Sequence, residues 1–142
     1  MLGEEIGKLA ISKKLNDIDF IVPVPLHKAR LRDRTYNQSE YIAKGISNIL
    51  KAEVINDAVI RSRFTPTQTR LNKAERKVNV SGAFSVNPKY TGKLRGKNIL
   101  LADDVITTGA TILECASALK AAGSGKLCVC SAAYAELKIN VV

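Results

Sequence analysis

Apolar positions along the chain fall into two rhythms, and their alternation predicts the architecture. Leu2, Ile6, Leu9, Ala10 and Leu15 recur at near-helical spacing, which predicts a first amphipathic helix. Asp19–Val24 (DFIVPV) is a short apolar strand, and Pro23 and Pro25 end its regular pairing and stiffen its exit. Asn37 opens a second helix. It can cap the free amides there, and Glu40 three residues on completes a capping-box pattern. Tyr41, Ile42, Ile46, Ile49 and Leu50 form the predicted buried stripe. Further strands are expected within Asp57–Arg61 and Ala83–Val86, with a turn region at Asn87–Lys97, where Pro88, Gly92 and Gly96 fall.

Asn98–Ala102 (NILLA) is the clearest buried strand. A helix is predicted from about Ala110 to Ala122, with Ile112, Leu113, Ala116 and Leu119 on one side and Gly123 and Gly125 at its end. Lys126–Tyr134 supplies the last predicted strand. Strands alternating with helices imply an α/β fold, a mostly parallel sheet with helices on both faces. Ligands of such sheets sit beyond the carboxyl ends of the strands.

Two stretches break the rhythm. Leu26–Tyr36 is a basic loop. Residues 62–82 are polar and basic, with Asn72-x-x-Glu75 able to cap a short helix, and a stretch this long in a compact fold is expected to be functional or mobile.

Composition narrows the class. A length of 142 residues suits one domain spanning 1–142, and 46% apolar residues suffice for one core. No run of about 18 apolar residues occurs, so no membrane span is expected. Glu4, Glu5, Lys8, Lys13 and Lys14 interrupt the N-terminal apolar positions, unlike a signal peptide, and a cytoplasmic location is expected. The net charge of +9 attracts phosphates, nucleic acid or anionic lipid without choosing among them. Cys115, Cys128 and Cys130 are an odd set with one histidine, His27, to join them. Buried structural thiols are expected, and no zinc.

The chemistry concentrates in Ile99–Thr111 (ILLADDVITTGAT), a strand, an acidic pair, and a hydroxyl-and-glycine loop entering a helix. Gly109 lets the backbone curl around an anion. Amides of Thr107, Thr108, Gly109, Ala110 and Thr111 fall where the helix dipole favours phosphate, and the three threonines add hydroxyl donors. Asp103 and Asp104 can accept hydrogen bonds from a vicinal diol or hold Mg²⁺ through water. Such a site fits a ribose 5-phosphate. Gly123-Ser124-Gly125-Lys126 ends like a P-loop, but Lys120 stands where the first glycine belongs and Leu127 where the Mg²⁺-binding hydroxyl belongs. No G-x-G-x-x-G and no nucleophile elbow occur.

Ile99–Thr111 resembles the motif that binds 5-phosphoribosyl-1-pyrophosphate (PRPP) in type I phosphoribosyltransferases, over 13 residues without a gap. Val22–Gln38 (VPVPLHKARLRDRTYNQ) resembles the PVPLH…R-R-x-R-G-F-N-Q signature of the ComF competence family. Thr65-Pro66-Thr67-Gln68, Leu71, Ala74-Glu75-Arg76 and Asn79-Val80-Ser81-Gly82-Ala83-Phe84 resemble its second signature. Together the resemblance spans roughly residues 19–134. The sequence departs from the pattern at Thr35, where glycine is usual, and at Tyr36, where phenylalanine is; the four-cysteine N-terminal zinc module of many relatives is absent from this chain.

The resemblance implies a Rossmann-like phosphoribosyltransferase type I fold with a flexible hood. It implies that Asp103 and Asp104, the candidate catalytic pair, bind the ribose hydroxyls, and that Thr107–Thr111 bind the 5′-phosphate. Lys28, Arg30, Arg32 and Arg34 become candidates for the pyrophosphate, since guanidinium forks suit phosphate oxygens. His27 either contacts phosphate or anchors its loop. Residues 62–82 match the hood, with Gln68, Arg70, Arg76 and Asn79 as candidate contacts on closure. Expected ligands are PRPP or ribose 5-phosphate with Mg²⁺, and expected partners include single-stranded DNA and proteins of the competence machinery. Three functions stay open: a DNA-uptake protein, a phosphoribosyltransferase of nucleotide metabolism, and a PRPP sensor without turnover. No base-recognition element and no general base are assignable.

Overall fold

The computed structural model describes residues 2–25, 37–61, 83–104, 109–133 and 136–141. The chain folds into α1 (Leu2–Ser12), β1 (Phe20–Pro23), α2 (Gln38–Leu50), β2 (Glu53–Val54), β3 (Val59–Arg61) and β4 (Phe84–Val86). A 3₁₀ turn (Pro88–Tyr90) and the short α3 (Thr91–Leu94) lead to β5 (Ile99–Asp103), α4 (Ala110–Ala121), β6 (Leu127–Ala133) and β7 (Glu136–Val141). Among the described residues, five strands make the main sheet in the order β2-β1-β5-β6-β7. Pairing is parallel from β2 through β6 and antiparallel between β6 and β7.

The expected α/β class and mostly parallel sheet are therefore present. The strands expected within Asp57–Arg61 and Ala83–Val86 are present as β3 and β4, and they pair antiparallel in a separate two-stranded sheet. Three expectations about elements need correcting. The turn region at Asn87–Lys97 contains the 3₁₀ turn and α3. The predicted last strand is followed by β7. In the stripes, Tyr41 and Leu113 are 57% and 55% exposed, because neighbours took their places: Ala43 and Cys115 are buried instead.

Alternation along the parallel strands sends side chains to two cores. Val22, Leu101, Leu127 and Val129 face α4 and the β3–β4 hairpin, packing with Val59, Phe84, Leu94, Ile112, Cys115 and Leu119. Ile21, Leu100, Ala102, Cys128 and Cys130 face α1 and α2, packing with Ile6, Ala10, Ile42, Ala43 and Ile46. The three thiols are buried as expected, and burial pushes their pKa values up, leaving them protonated.

The amino ends of the strands are pinned by Asn98. Its backbone N–H donates to Asp19 Oδ2 at 2.8 Å, its Nδ2 to the Asp17 carbonyl at 3.1 Å, and its Oδ1 accepts from the Lys126 amide at 3.0 Å. Beside it, Lys126 Nζ lies 2.7 Å from Asp17 Oδ2, a half-exposed pair that pulls the Asp17 pKa down. The functional end of the sheet is the opposite one.

Candidate functional site at the strand switch point

Strand order determines where a crevice opens. From β1 the chain passes through α2 to β2 on one side; from β5 it passes through α4 to β6 on the other. The two helices cover opposite faces of the sheet. Between the carboxyl ends of β1 and β5 the connections therefore diverge, which is the switch point where open α/β sheets take their ligands. The Val24 amide still donates to the Ala102 carbonyl at 2.8 Å, so the two exits run side by side to the last pair.

Asp103 is the final residue of β5, registered against Ser131 of β6, and Asp104 follows it. The Asp103 carboxylate is 9% exposed and its Oδ1 accepts two hydrogen bonds: from the Asp104 amide at 2.8 Å and from the Ser39 hydroxyl at 3.2 Å. Burial pushes its pKa up to about 7; the Asp104 carboxylate beside it adds to the rise, while the Asp104 amide and the Ser39 hydroxyl oppose it. A buried carboxyl poised near neutrality beside a second acid is a common feature of functional sites.

Gly109 caps α4 with φ +83° and ψ −5°. This left-handed backbone is costly for residues with a Cβ, which is why glycine stands there. Its carbonyl accepts the Leu113 amide at 3.0 Å, starting the helix. Ala110 and Thr111 form the first turn of α4. Asp103, Asp104, Gly109, Ala110 and Thr111 are thus gathered at one strand end and one helix start. Thr107 and Thr108 lie outside the described residues, as do His27, Lys28, Arg30, Arg32, Arg34, Gln68, Arg70, Arg76 and Asn79.

The expected cap at Asn37 is present: its Oδ1 accepts the Ser39 amide at 3.1 Å, and its Nδ2 reaches the Val24 carbonyl at 3.1 Å. The sequence predicts the cap at Asn37 and assigns no role to Ser39. No local pattern marks Ser39, whose partner lies 64 residues away.

The donor set has a definite bearing on Mg²⁺. Among the described residues no group of three or more His, Cys, Asp or Glu side chains could hold a metal. One oxygen of Asp103 is already committed to two donors. An acid pair of this kind fits Mg²⁺ held through water and completed by ligand phosphates, not enclosed by protein alone.

Comparison with known proteins shows the family. A model of the phosphoribosyl transferase domain matches residues 37–137. DNA utilization protein YhgH of Escherichia coli K12 is 35% identical over 115 residues, covering 79% of this chain and 49% of that protein. Competence protein F of Haemophilus influenzae is 35% identical over 103 residues, covering 72% of this chain and 44% of its own length. The chain spans about half the length of the curated relatives it matches. Among solved structures, glutamine PRPP amidotransferase from B. subtilis superposes with a TM-score of 0.59 at 20% identity, covering 92% of this chain and 26% of that one; at this identity the likeness speaks for the fold. The ComF resemblance read from the three signatures is thus matched by relatives of that kind, and the chain belongs to the phosphoribosyl transferase domain family.

Proposed function

We propose that this protein binds PRPP or a similar ribose phosphate with Mg²⁺ and, as a ComF-type member of its family, supports DNA uptake in natural competence. One observation carries the ligand reading: an acidic pair at the end of β5, Asp103 buried and Asp104 half-buried, and a glycine-capped helix start five residues later lie together at the sheet's switch point. In this reading Asp103 and Asp104 take the ribose 2′- and 3′-hydroxyls. The amides and hydroxyls of Thr107–Thr111 take the 5′-phosphate, with α4 contributing its dipole. Lys28, Arg30, Arg32 and Arg34 take the pyrophosphate, and residues 62–82, with Gln68, Arg70 and Arg76, close over it. Mg²⁺, held through water by Asp103 and Asp104, supplies charge neutralisation at the pyrophosphate.

Calorimetric titration with PRPP and Mg²⁺ tests this. The wild type is expected to bind, and Asp103→Ala/Asp104→Ala to lose at least about tenfold in affinity, since each lost bond to a charged group is worth ~1.5–3 kcal/mol. Equal affinity in the two proteins refutes the assigned roles.

The competence role is supported by the relatives, one a DNA utilization protein and one a competence protein. It also suits the net charge of +9. Binding to single-stranded DNA through phosphates is expected to weaken steeply between low and physiological salt. Only 5% of residues are aromatic, so stacking adds little. A gel-shift affinity that barely changes with salt contradicts phosphate contact.

One observation favours a second reading, turnover as a phosphoribosyltransferase of nucleotide metabolism. A carboxyl with a pKa near 7 is matched to proton transfer at neutral pH. Pyrophosphate release screened across free bases, ammonia and glutamine decides it; release with any one of them establishes turnover.

A further inference from the structure

Ser39 lies in the first turn of α2, is 2% exposed, and points its hydroxyl across the switch-point crevice to Asp103 Oδ1 at 3.2 Å. A hydroxyl at a helix start ordinarily serves the helix, by accepting from its free amides. Here Asn37 performs that service, accepting the Ser39 amide at 3.1 Å. Asn37 is itself held to the exit of β1 through the Val24 carbonyl at 3.1 Å. An unbroken line of hydrogen bonds thus crosses from the exit of β1 to β5: the Val24 carbonyl, the Asn37 side chain, the Ser39 amide and hydroxyl, and the Asp103 carboxylate. Burying a hydroxyl costs free energy unless it is bonded, and the bond that satisfies this one goes to the acid at the centre of the site.

The geometry at Asp103 gives the line a purpose. The terminal torsion of an aspartate is soft and has no strongly preferred setting. The Ser39 hydroxyl and the Asp104 amide both donate to Oδ1, from two directions, and together fix that torsion. The other oxygen, Oδ2, is then set in one orientation for a ligand.

We propose that Ser39 is a positioning residue that orients the Asp103 carboxylate for the ligand's sugar hydroxyls, with Asn37 holding it in place. This deepens the ribose-phosphate reading and rests on it. Ser39 touches no part of the ligand, so its effect passes entirely through Asp103.

The test compares two probes by calorimetry on the intact chain with Mg²⁺. Ribose 5-phosphate uses both the phosphate cup and the acids; inorganic phosphate uses the cup alone. The wild type is expected to prefer ribose 5-phosphate. Ser39→Ala is expected to weaken ribose 5-phosphate about five- to tenfold, on the order of the net worth of one ordinary hydrogen bond, and to leave inorganic phosphate unchanged. In the Asp103→Ala background, where the Ser39 hydroxyl has lost its partner and ribose 5-phosphate keeps only the phosphate cup, Ser39→Ala is expected to add no further loss. Ser39→Cys keeps the volume with a weaker donor and is expected to fall between; it carries the same comparison should Ser39→Ala melt below the assay temperature. A Ser39→Ala protein that keeps its full preference for the sugar, or loses both probes equally, overturns the positioning role and leaves the ribose-phosphate reading standing. A wild type that binds both probes alike overturns the ribose-phosphate reading, and the positioning role with it.

Discussion

Asp103→Asn is expected to make the protein more stable above neutral pH while removing its affinity for PRPP. Asp103 is almost wholly buried at the end of β5, and its folded-state pKa, about 7, lies well above the usual 3.8. The cause is first the loss of water around the charge and then the Asp104 carboxylate next to it. The sign follows from linkage. The folded protein holds this proton more tightly than the unfolded chain does. The group's contribution to stability is therefore fully present below the unfolded pKa, near 4, and is lost as pH rises through about 7. A difference of about three pH units sets an upper bound of ~4 kcal/mol on the penalty of carrying the charge. Asparagine carries no charge, and its Oδ1 still accepts from Ser39 and Asp104. The gain expected above pH 7 is about 2 kcal/mol, which in a chain of this size raises Tm by roughly 5–10 °C. Near pH 4 the two proteins should melt within about a degree of each other. Thermal melts at the two pH values read this directly; a variant-to-wild-type difference that does not change with pH contradicts it. A site held at the expense of stability is what a functional acid pair predicts.

The second large effect concerns the packing that carries α2, and with it Asn37 and Ser39. Helices α1 and α2 cross at glycines. A Cβ added at Gly45 would sit 2.7 Å from Gly3 Cα and 2.9 Å from the Glu4 amide nitrogen, and one added at Gly3 would sit 2.5 Å from the Ile42 carbonyl oxygen. These are backbone atoms, which cannot rotate away. Alanine in a helix interior is ordinarily favoured over glycine by ~1 kcal/mol. At Gly45 the overlap forces the helices apart and strips contacts from Ile6, Ile42 and Ile46, a cost of about 3 kcal/mol that outweighs the propensity gain. Gly45→Ala is therefore expected to destabilise by about 2 kcal/mol. Gly92→Ala supplies the opposite case. Nothing lies within 4 Å of its added Cβ, and it sits in α3, so stabilisation by ~0.5 kcal/mol is expected. Urea unfolding of both variants checks the pair; a Gly45→Ala protein as stable as wild type would show that the close crossing does not hold.

What could be read along the chain and what could not divide by range. The site's core was legible because Ile99–Thr111 is contiguous: a fully buried strand, two acids and a glycine-started helix follow one another without needing the rest of the fold. The cap at Asn37 was legible for the same reason. Ser39 was not, since its role depends on a residue brought to it from the other side of the sheet. Two positions in the helix stripes, Tyr41 and Leu113, are exposed where burial is predicted. Period alone could not decide between Leu113 and Cys115, and the fold buries the smaller Cys115 against the sheet while leaving Leu113 exposed. The β3–β4 pairing was missed because three apolar residues do not state whether their partner strand is parallel or antiparallel. Strand β2 is only two residues long. Strand β7 had a readable signal, since Leu137, Ile139 and Val141 alternate with Glu136, Lys138 and Asn140. That signal loses force beside the longer apolar run of β6.

The switch point itself cannot be seen in sequence. It comes from strand order, and strand order from which helix covers which face: α2 with Ile42 and Ile46 on one side, α4 with Ile112 and Leu119 on the other. Once that order is known, the acids at the end of β5 and the cap of α2 beside the end of β1 fall into a single crevice.

The most direct measurement is a crystal structure of the protein soaked with ribose 5-phosphate and Mg²⁺. The account predicts the phosphate against the amides of Thr107–Thr111 at the start of α4, with the sugar hydroxyls within hydrogen-bonding distance of Asp103 and Asp104. Ligand bound elsewhere, with that crevice empty, contradicts it.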